Sequence, residues 1–398
     1  MPILAWSFTG LDKVDGIWYN INTKARTAEV SRKSFSEHYS GAIAIPSTIE
    51  YDGVECVVNS IAKDAFYFCE ELTSVSIPNS VTYIGPSAFS FSGIKSITIP
   101  DGIKTIESGT FQSCENLSEV NLPPISTIGS YAFYCCKNLT SIILSDSIQN
   151  IGLAAFADCV KLDSLIIPSI KTYCKIKFGG TIFNVPFRLF IGKEEIKDLV
   201  ITGEVTSVPA YAFIACKSIE NLYISGNVAK IEDAAFYNCP NLKKISITSK
   251  LNTIGEAAFQ NCIKLTQVEL PSTIKTINKN AFGNCSEITD FYCYATICPE
   301  TIEGSLYTTK VFYNCGIEYA TLHIPASSLE LYKTTKPWNE FGSIVALTEE
   351  ETGIETTSIS NNDVQSYYSL DGKHLDAPQK GINIVKLANG QTKKVVIK

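Results

Sequence analysis

The chain has 398 residues, 45% of them hydrophobic and 18% charged, with a formal net charge of −7 at pH 7 and a pI near 5.2. So apolar a composition excludes a disordered chain, and no apolar run reaches the roughly 18 residues a membrane-spanning helix needs. The acidic balance offers no basic face for nucleic acid, and the three histidines, His38, His323 and His374, are a thin supply for a metal site or a general base.

In chain order, the start Met1-Pro2-Ile3-Leu4-Ala5-Trp6 does not read as a secretory leader, because its apolar stretch is short and the first lysine is Lys13. Residues 1–58 are expected to form an N-terminal region and β cap. Strand composition occurs at 17–19, 28–30, 42–45 and 54–58, with Asp52-Gly53 as a hairpin turn.

From 59 to 346 one unit repeats. Phe66, Phe89, Phe111, Phe133, Phe156, Phe213, Phe236, Phe259 and Phe282 stand 22 or 23 residues apart, apart from one wide gap before Phe213; Phe312 follows after 30. Most follow an alanine. Three residues later comes a cysteine, at Cys69, Cys114, Cys136, Cys159, Cys216, Cys239, Cys262, Cys285 and Cys315, with Ser92 in the second unit. An apolar strand L-x-x-[VIL]-x-[IL] follows, often ended by proline, then a second apolar pair and often glycine. A coil this short cannot bury its own apolar points, so stacking is the way to a continuous core. The expected fold is a β-rich solenoid, a right-handed leucine-rich-repeat superhelix of about eleven coils with parallel strands ~4.8 Å apart. The cysteines are expected to be small buried fillers; stacked Cβ atoms ~4.8 Å apart exceed the spacing a disulfide prefers. Cys293 and Cys298 flank a loop and are the one pair with room to bridge.

Two places break the period. Within about 170–200, Phe183 is the expected missing aromatic, and Arg188–Ile191, Gly192-Lys193 and 195–201 read as a hairpin. The second is a long loop at about 293–310. Trp338, Phe341 and Ile344 are suited to closing the last coil. A linker is expected over 347–358 and a small β segment over 359–398, with a hairpin about Asn389-Gly390.

The unit Ser76-Ile77-Pro78-Asn79-Ser80-Val81-Thr82-Tyr83-Ile84-Gly85-Pro86-Ser87-Ala88-Phe89 resembles that of the BspA-like, or Treponema-type, leucine-rich repeats, over about 17–346. The tail from Tyr367 resembles a shortened C-terminal sorting-type domain. The resemblance implies a secreted or cell-surface bacterial protein that adheres to host matrix proteins, glycans or other cells. A scaffold component of the envelope, docking through its C-terminal segment, is the alternative.

Catalytic machinery is not legible: there is no H-E-x-x-H, Walker loop, G-x-G-x-x-G or G-x-S-x-G. No enzyme activity, cofactor or metal is expected, and a monomer is slightly favoured. A binding face is expected instead. Alternation along each strand sends one column to the concave surface: Ser76, Thr98, Asn121, Ile143, Ile166, Val200, Tyr223, Ser246, Glu269, Tyr292, His323. Ile143, Ile166, Val200 and Tyr223, read as consecutive, form an apolar candidate ligand patch, with Tyr292 further along. The competing reading has the insertion hairpin fold over this patch, and it is the more economical one, because exposed apolar patches of that size are uncommon.

Overall fold

A computed structural model of the chain describes residues 10–32, 34–303 and 310–348, together with the backbone of the strands Val364–Tyr368, His374–Leu375, Gly381–Leu387 and Thr392–Ile397. Each coil contributes two strands. The L-x-x-[VIL]-x-[IL] segment forms a major strand, as at Asn221–Ile224, Lys244–Ile247 and Gln267–Leu270. The later apolar pair forms a two-residue minor strand, as at Lys230–Ile231 and Thr253–Ile254. Both kinds pair in parallel with their equivalents: Leu222 lies opposite Ile245, and Ile231 opposite Ile254. Period-2 alternation buries Leu222 and Ile224 and turns Asn221 and Tyr223 outward.

Between the two strands runs the ladder of phenylalanines. The rings of Phe66, Phe89, Phe111, Phe133, Phe156 and Phe183 stack with centroids 5.0–5.5 Å apart. Phe183 is thus the aromatic of the irregular coil, as expected. A second run joins Phe213, Phe236, Phe259, Phe282 and Phe312 at 5.1–5.8 Å. These are offset aromatic stacks, favourable beyond the area they bury.

The cysteines do more than fill space. Cys239 Sγ donates to the carbonyl of Phe213 in the preceding coil (3.2 Å), and Cys114, Cys136, Cys159, Cys262, Cys285 and Cys315 repeat the contact with their own preceding phenylalanines. All fourteen cysteines are free thiols. Burial pushes the thiols of Cys114, Cys159 and Cys315 up to about 12.

The turn around each phenylalanine alternates in hand. Residues two before it (Asp64, Ser87, Tyr131, Ala154, Ala234, Ala257) and two after it (Ser113, Asp158, Asn238, Asn261, Asn284, Asn314) hold positive φ. This alternation points every second N–H along the stack. Ala234, Phe236 and Asn238 donate to Glu256, Ala258 and Gln260 of the next coil, each at 2.8 Å. The glycines that recur after the minor strand serve close approach: a Cβ on Gly152 would lie 2.4 Å from Ser130 N, and on Gly255 2.6 Å from Asp233 N.

The ring ladder is interrupted between Phe183 and Phe213. The minor strands from Thr105–Ile106 to Lys177–Phe178 form one sheet and those from Ser207–Val208 onward another; among the major strands, the sheet that begins at Ser141–Ile143 ends at Glu194–Glu195 and a new one starts at Asp198–Ile201. The short helix Ile170–Tyr173, capped by Ser169 Oγ accepting from Thr172 N (3.1 Å), carries Tyr173 into the gap. Its ring meets Phe178 and Phe213, each at 5.4 Å, and its hydroxyl donates to Ala212 O (2.7 Å). The expected hairpin is shorter than its sequence suggests. Arg188–Ile191 pairs back only with Glu194–Glu195, while Asp198–Ile201 opens the next parallel run against Asn221–Ile224.

Both ends are closed by aromatics. In the N-terminal part, Gly10–Val14, Ile17–Asn22, Thr27–Ser31, Val54–Ile61 and Thr48–Tyr51 form a sheet in that order, and Val54–Ile61 continues into Tyr83–Ile84 of the first minor strand. Tyr39 covers the first ladder ring (centroids 5.0 Å from Phe66) and donates its hydroxyl to Ser31 O (2.6 Å). At the other end Trp338 and Phe341 pack edge-on against Phe312, and Trp338 Nε1 donates to Pro299 O (3.2 Å). Cys293 does not bridge to Cys298; its thiol shares a 3.3 Å hydrogen bond with Tyr332 Oη. The C-terminal strands form an antiparallel sheet in the order His374–Leu375, Val364–Tyr368, Gly381–Leu387, Thr392–Ile397. The expected linker from 349 and the Asn389-Gly390 turn lie outside the described residues.

Candidate functional site: the outward face of the major sheet

The outward column is built by strand alternation alone, and its register is fixed by the buried partners on either side. Ile143 lies opposite Ile166, and Ile166 opposite Phe190. After the interruption Val200 lies opposite Tyr223, followed by Ser246, Glu269, Tyr292 and His323. Two corrections follow. Ile166 and Val200 are not consecutive rungs, because the strand Arg188–Ile191 and its short return strand intervene in the chain. And the hairpin does not cover the patch: it extends the sheet and adds Phe190 to the column. Ile143 remains 66% exposed, Val200 51% and Tyr223 38%; Ile166 is half-buried.

Phe190 is the member that sequence reading missed. Its signal was present, since R-L-F-I alternates like every other major strand, but assigning 195–201 to the same hairpin hid the rung.

A charged rim runs beside the apolar rungs. Arg188 Nε donates to Asp163 Oδ2 (2.8 Å), its Nη1 meets Glu195 (3.4 Å), and its guanidinium stands 5.2 Å from the Phe190 ring centroid. Lys217 pairs with Asp163 (2.7 Å) and Lys243 with Glu220 (2.7 Å). Arg188, and after it Lys217, hold the Asp163 carboxyl below its ordinary range; Lys243 does the same for Glu220.

The column changes character toward the C-terminal end. Ser246 donates to Glu269 (2.6 Å), Lys244 pairs with Glu269 (3.0 Å), and His323 Nε2 meets Asp290 Oδ1 (3.1 Å). Tyr292 is half-buried and stacked under His323 (centroids 4.2 Å). Ser246 and Glu269 separate it from Tyr223. The structure therefore brings Ile143 together with Ile166, and Val200 with Tyr223, and leaves Tyr292 in the polar part.

A second set of aromatics, which the sequence reading passed over, sits in the turns of the first coils. Phe68 and Phe91 occupy the positive-φ position two residues after the ladder ring, at φ 58° and 59°. A left-handed conformation costs a residue with a Cβ roughly 1–2 kcal/mol. Among the described residues no group of three or more His, Cys, Asp or Glu is arranged to hold a metal, and no helix is long and apolar enough to cross a membrane.

With stacked coils, ladder and turn in view, comparison with known families is decisive. Residues 59–184 and 184–318 match the BspA type leucine rich repeat region, in six copies. The chain belongs to the BspA-type leucine-rich-repeat family. Solved structures similar to it include a leucine-rich repeat protein from Bacteroides ovatus (22% identity, 85% of this chain and 100% of that one, TM-score 0.39). A leucine rich cell surface protein from Faecalibacterium prausnitzii shares 21% identity over 84% of this chain and 97% of its own, with a TM-score of 0.45. The pneumococcal vaccine antigen PcpA shares 16% over 81% and 83%, with a TM-score of 0.47. No curated protein matches the chain.

Proposed function

We propose that this BspA-type chain is a non-catalytic binding protein of the bacterial cell surface or exterior, and that it adheres to a host extracellular protein through the outward face of its major sheet. The observation that supports this reading is the outward apolar column, with Ile143, Val200 and Tyr223 exposed and Ile166 and Phe190 half-buried between them. An apolar and aromatic centre with a charged rim that includes arginine is the usual composition of a protein-binding surface. The rungs are held by paired strands, so little ordering entropy is lost on binding.

The test is an array of matrix proteins probed with the full chain. A saturable hit is expected, weakened by Ile166→Ser together with Tyr223→Ser at unchanged melting temperature. An unaffected hit in that folded variant rejects this face. Silence across the array, with the chain still retained on cells, transfers the weight to a scaffold docked through the C-terminal strands.

A further inference from the structure

The turns of the first two coils depart from the rule the other turns follow. Two residues after the ladder phenylalanine the backbone is left-handed, and the later coils place Ser113, Cys135, Asp158, Ala215, Asn238, Asn261, Asn284 and Asn314 there. Asparagine and small residues suit that conformation. The first two coils place Phe68 and Phe91, large side chains that the conformation disfavours and that the core does not use: Phe68 is exposed and Phe91 half-buried. A local rule broken without gain to packing is a signature of function.

These rings belong to a continuous surface. Phe68 and Phe91 stack at 4.5 Å, Tyr67 meets both edge-on at 4.7 and 5.8 Å, and Phe35, 67% exposed, stands 6.0 Å from Tyr67. Phe91 forms one wall of an open cleft of about 420 Å³ whose other lining includes Glu70, Gly93, Ser113, Glu115 and Asn116. Gly93 keeps that cleft's floor in place, since a Cβ there would lie 1.9 Å from Glu70 O.

The charges nearby mostly cancel. Arg32 lies 3.8 Å from Asp64 and covers the Phe35 ring at 3.3 Å, and Glu115 pairs with Lys137 at 2.6 Å. Arg32 Nη1 is buried and has no hydrogen-bond partner among the described residues. A ligand cation would compete with Arg32 for the faces of Phe35 and Tyr67. A row of aromatic faces flanked by a carboxylate, an amide and a hydroxyl fits a ligand with a flat apolar C–H face and a rim of hydroxyls.

We propose that the Phe35, Tyr67, Phe68 and Phe91 surface and its adjoining cleft are a saccharide-binding site for neutral glycans, separate from the protein-binding sheet face. A sugar ring stacks on Phe91 and Phe68, and its hydroxyls donate to Glu70 and exchange hydrogen bonds with Ser113 and Asn116.

The test is saturation-transfer difference NMR on the full chain with maltotriose, cellotriose and chitotriose in turn, at millimolar concentration. Transfer to the ring C–H protons of at least one of them is expected, falling about five-fold or more in the Phe68→Asn, Phe91→Asn double variant. That variant carries the residue that four later turns hold, so its melting temperature should match or exceed that of the parent. Glu70→Gln, outside the strained position, provides a second variant and should weaken transfer about three-fold. Silence with all three sugars, or undiminished transfer in the folded double variant, overturns the proposal. So does binding of a lysine-rich peptide that is lost in the same variants while the sugars stay silent.

Discussion

The coils between Ser207 and Thr301 and the coil between Pro168 and Thr206 are built from the same residue types to different ends. In the former, the rings of Phe213, Phe236, Phe259 and Phe282 are nearly parallel, tilted by 5–11°. Their outward rungs from Ser246 onward are tied by Ser246 to Glu269, Lys244 to Glu269 and His323 to Asp290. In the latter, Phe183 meets Phe187 at a 31° tilt, Tyr173 replaces a ladder ring at 54° to Phe213, both sheets end, and the nearby outward rungs are Ile166, Phe190 and Val200. A repeat stack gains stability from each interface between like coils. Breaking the period gives up one such interface, and the break coincides with the apolar surface. Regular coils serve cohesion, and the apolar outward rungs gather in the irregular coil and the coils that flank it.

The largest expected effect comes from removing the residue that spans the break. Tyr173→Ala deletes a fully buried ring and the bond to Ala212 O, and should cost about 3–5 kcal/mol. It should also split thermal unfolding into two calorimetric transitions, one for each run of coils. A single transition shifted to lower temperature would show that the two runs are coupled by other contacts.

Alkaline pH acts on the regular ladder next. The folded-state thiols of Cys114, Cys159 and Cys315 lie at about 12, above the 9.0 of a free thiol. Above pH 9 the unfolded chain releases protons that the folded chain keeps, so stability falls as pH rises, by at most about 1.4 kcal/mol per pH unit for each thiol. Denaturant midpoints at pH 7.5 and 9.5 measure it, with a loss of up to about 2.5 kcal/mol expected over the three thiols. A flat profile would mean the thiols are not buried as described.

Smaller is Cys239→Ala. It leaves the Phe213 carbonyl without its thiol donor and opens a small void, at a cost of about 1–2 kcal/mol. Urea unfolding checks this. The smallest is Lys244→Ala, which removes a partly exposed ion pair with Glu269 and should cost under about 1 kcal/mol. A larger loss would make the polar rungs part of the stack's cohesion rather than its surface.

The period, the ladder and the capping aromatics were legible because each coil repeats the same burial problem, and ten phenylalanines, nine of them with a cysteine three residues on, answer it at fixed offsets. The break was legible as a place but not as a geometry. Pairing of 195–201 depends on which partner edge is available, and strand composition does not carry that, so Phe190 was missed. The left-handed turns left a faint signal in Asn238, Asn261, Asn284 and Asn314, residues that tolerate positive φ. Phe68 and Phe91 at the same offset then stand out as exceptions. Of the five candidate residues, four lie on the apolar face; Tyr292 fell outside because alternation sets which way a residue points and says nothing of its neighbours' polarity.

The measurement that bears most directly on the account is the affinity of the full chain for whichever matrix protein the array returns, compared between two double variants. Ile143→Ser with Val200→Ser should weaken binding at least about ten-fold, equivalent to 1.4 kcal/mol. Lys244→Ala with Glu269→Ala, on the polar rungs of the same sheet, should change it less than about two-fold. Equal losses in the two variants, or a loss confined to the polar one, would contradict the proposal that the apolar rungs in and beside the interrupted coil carry the adhesive face.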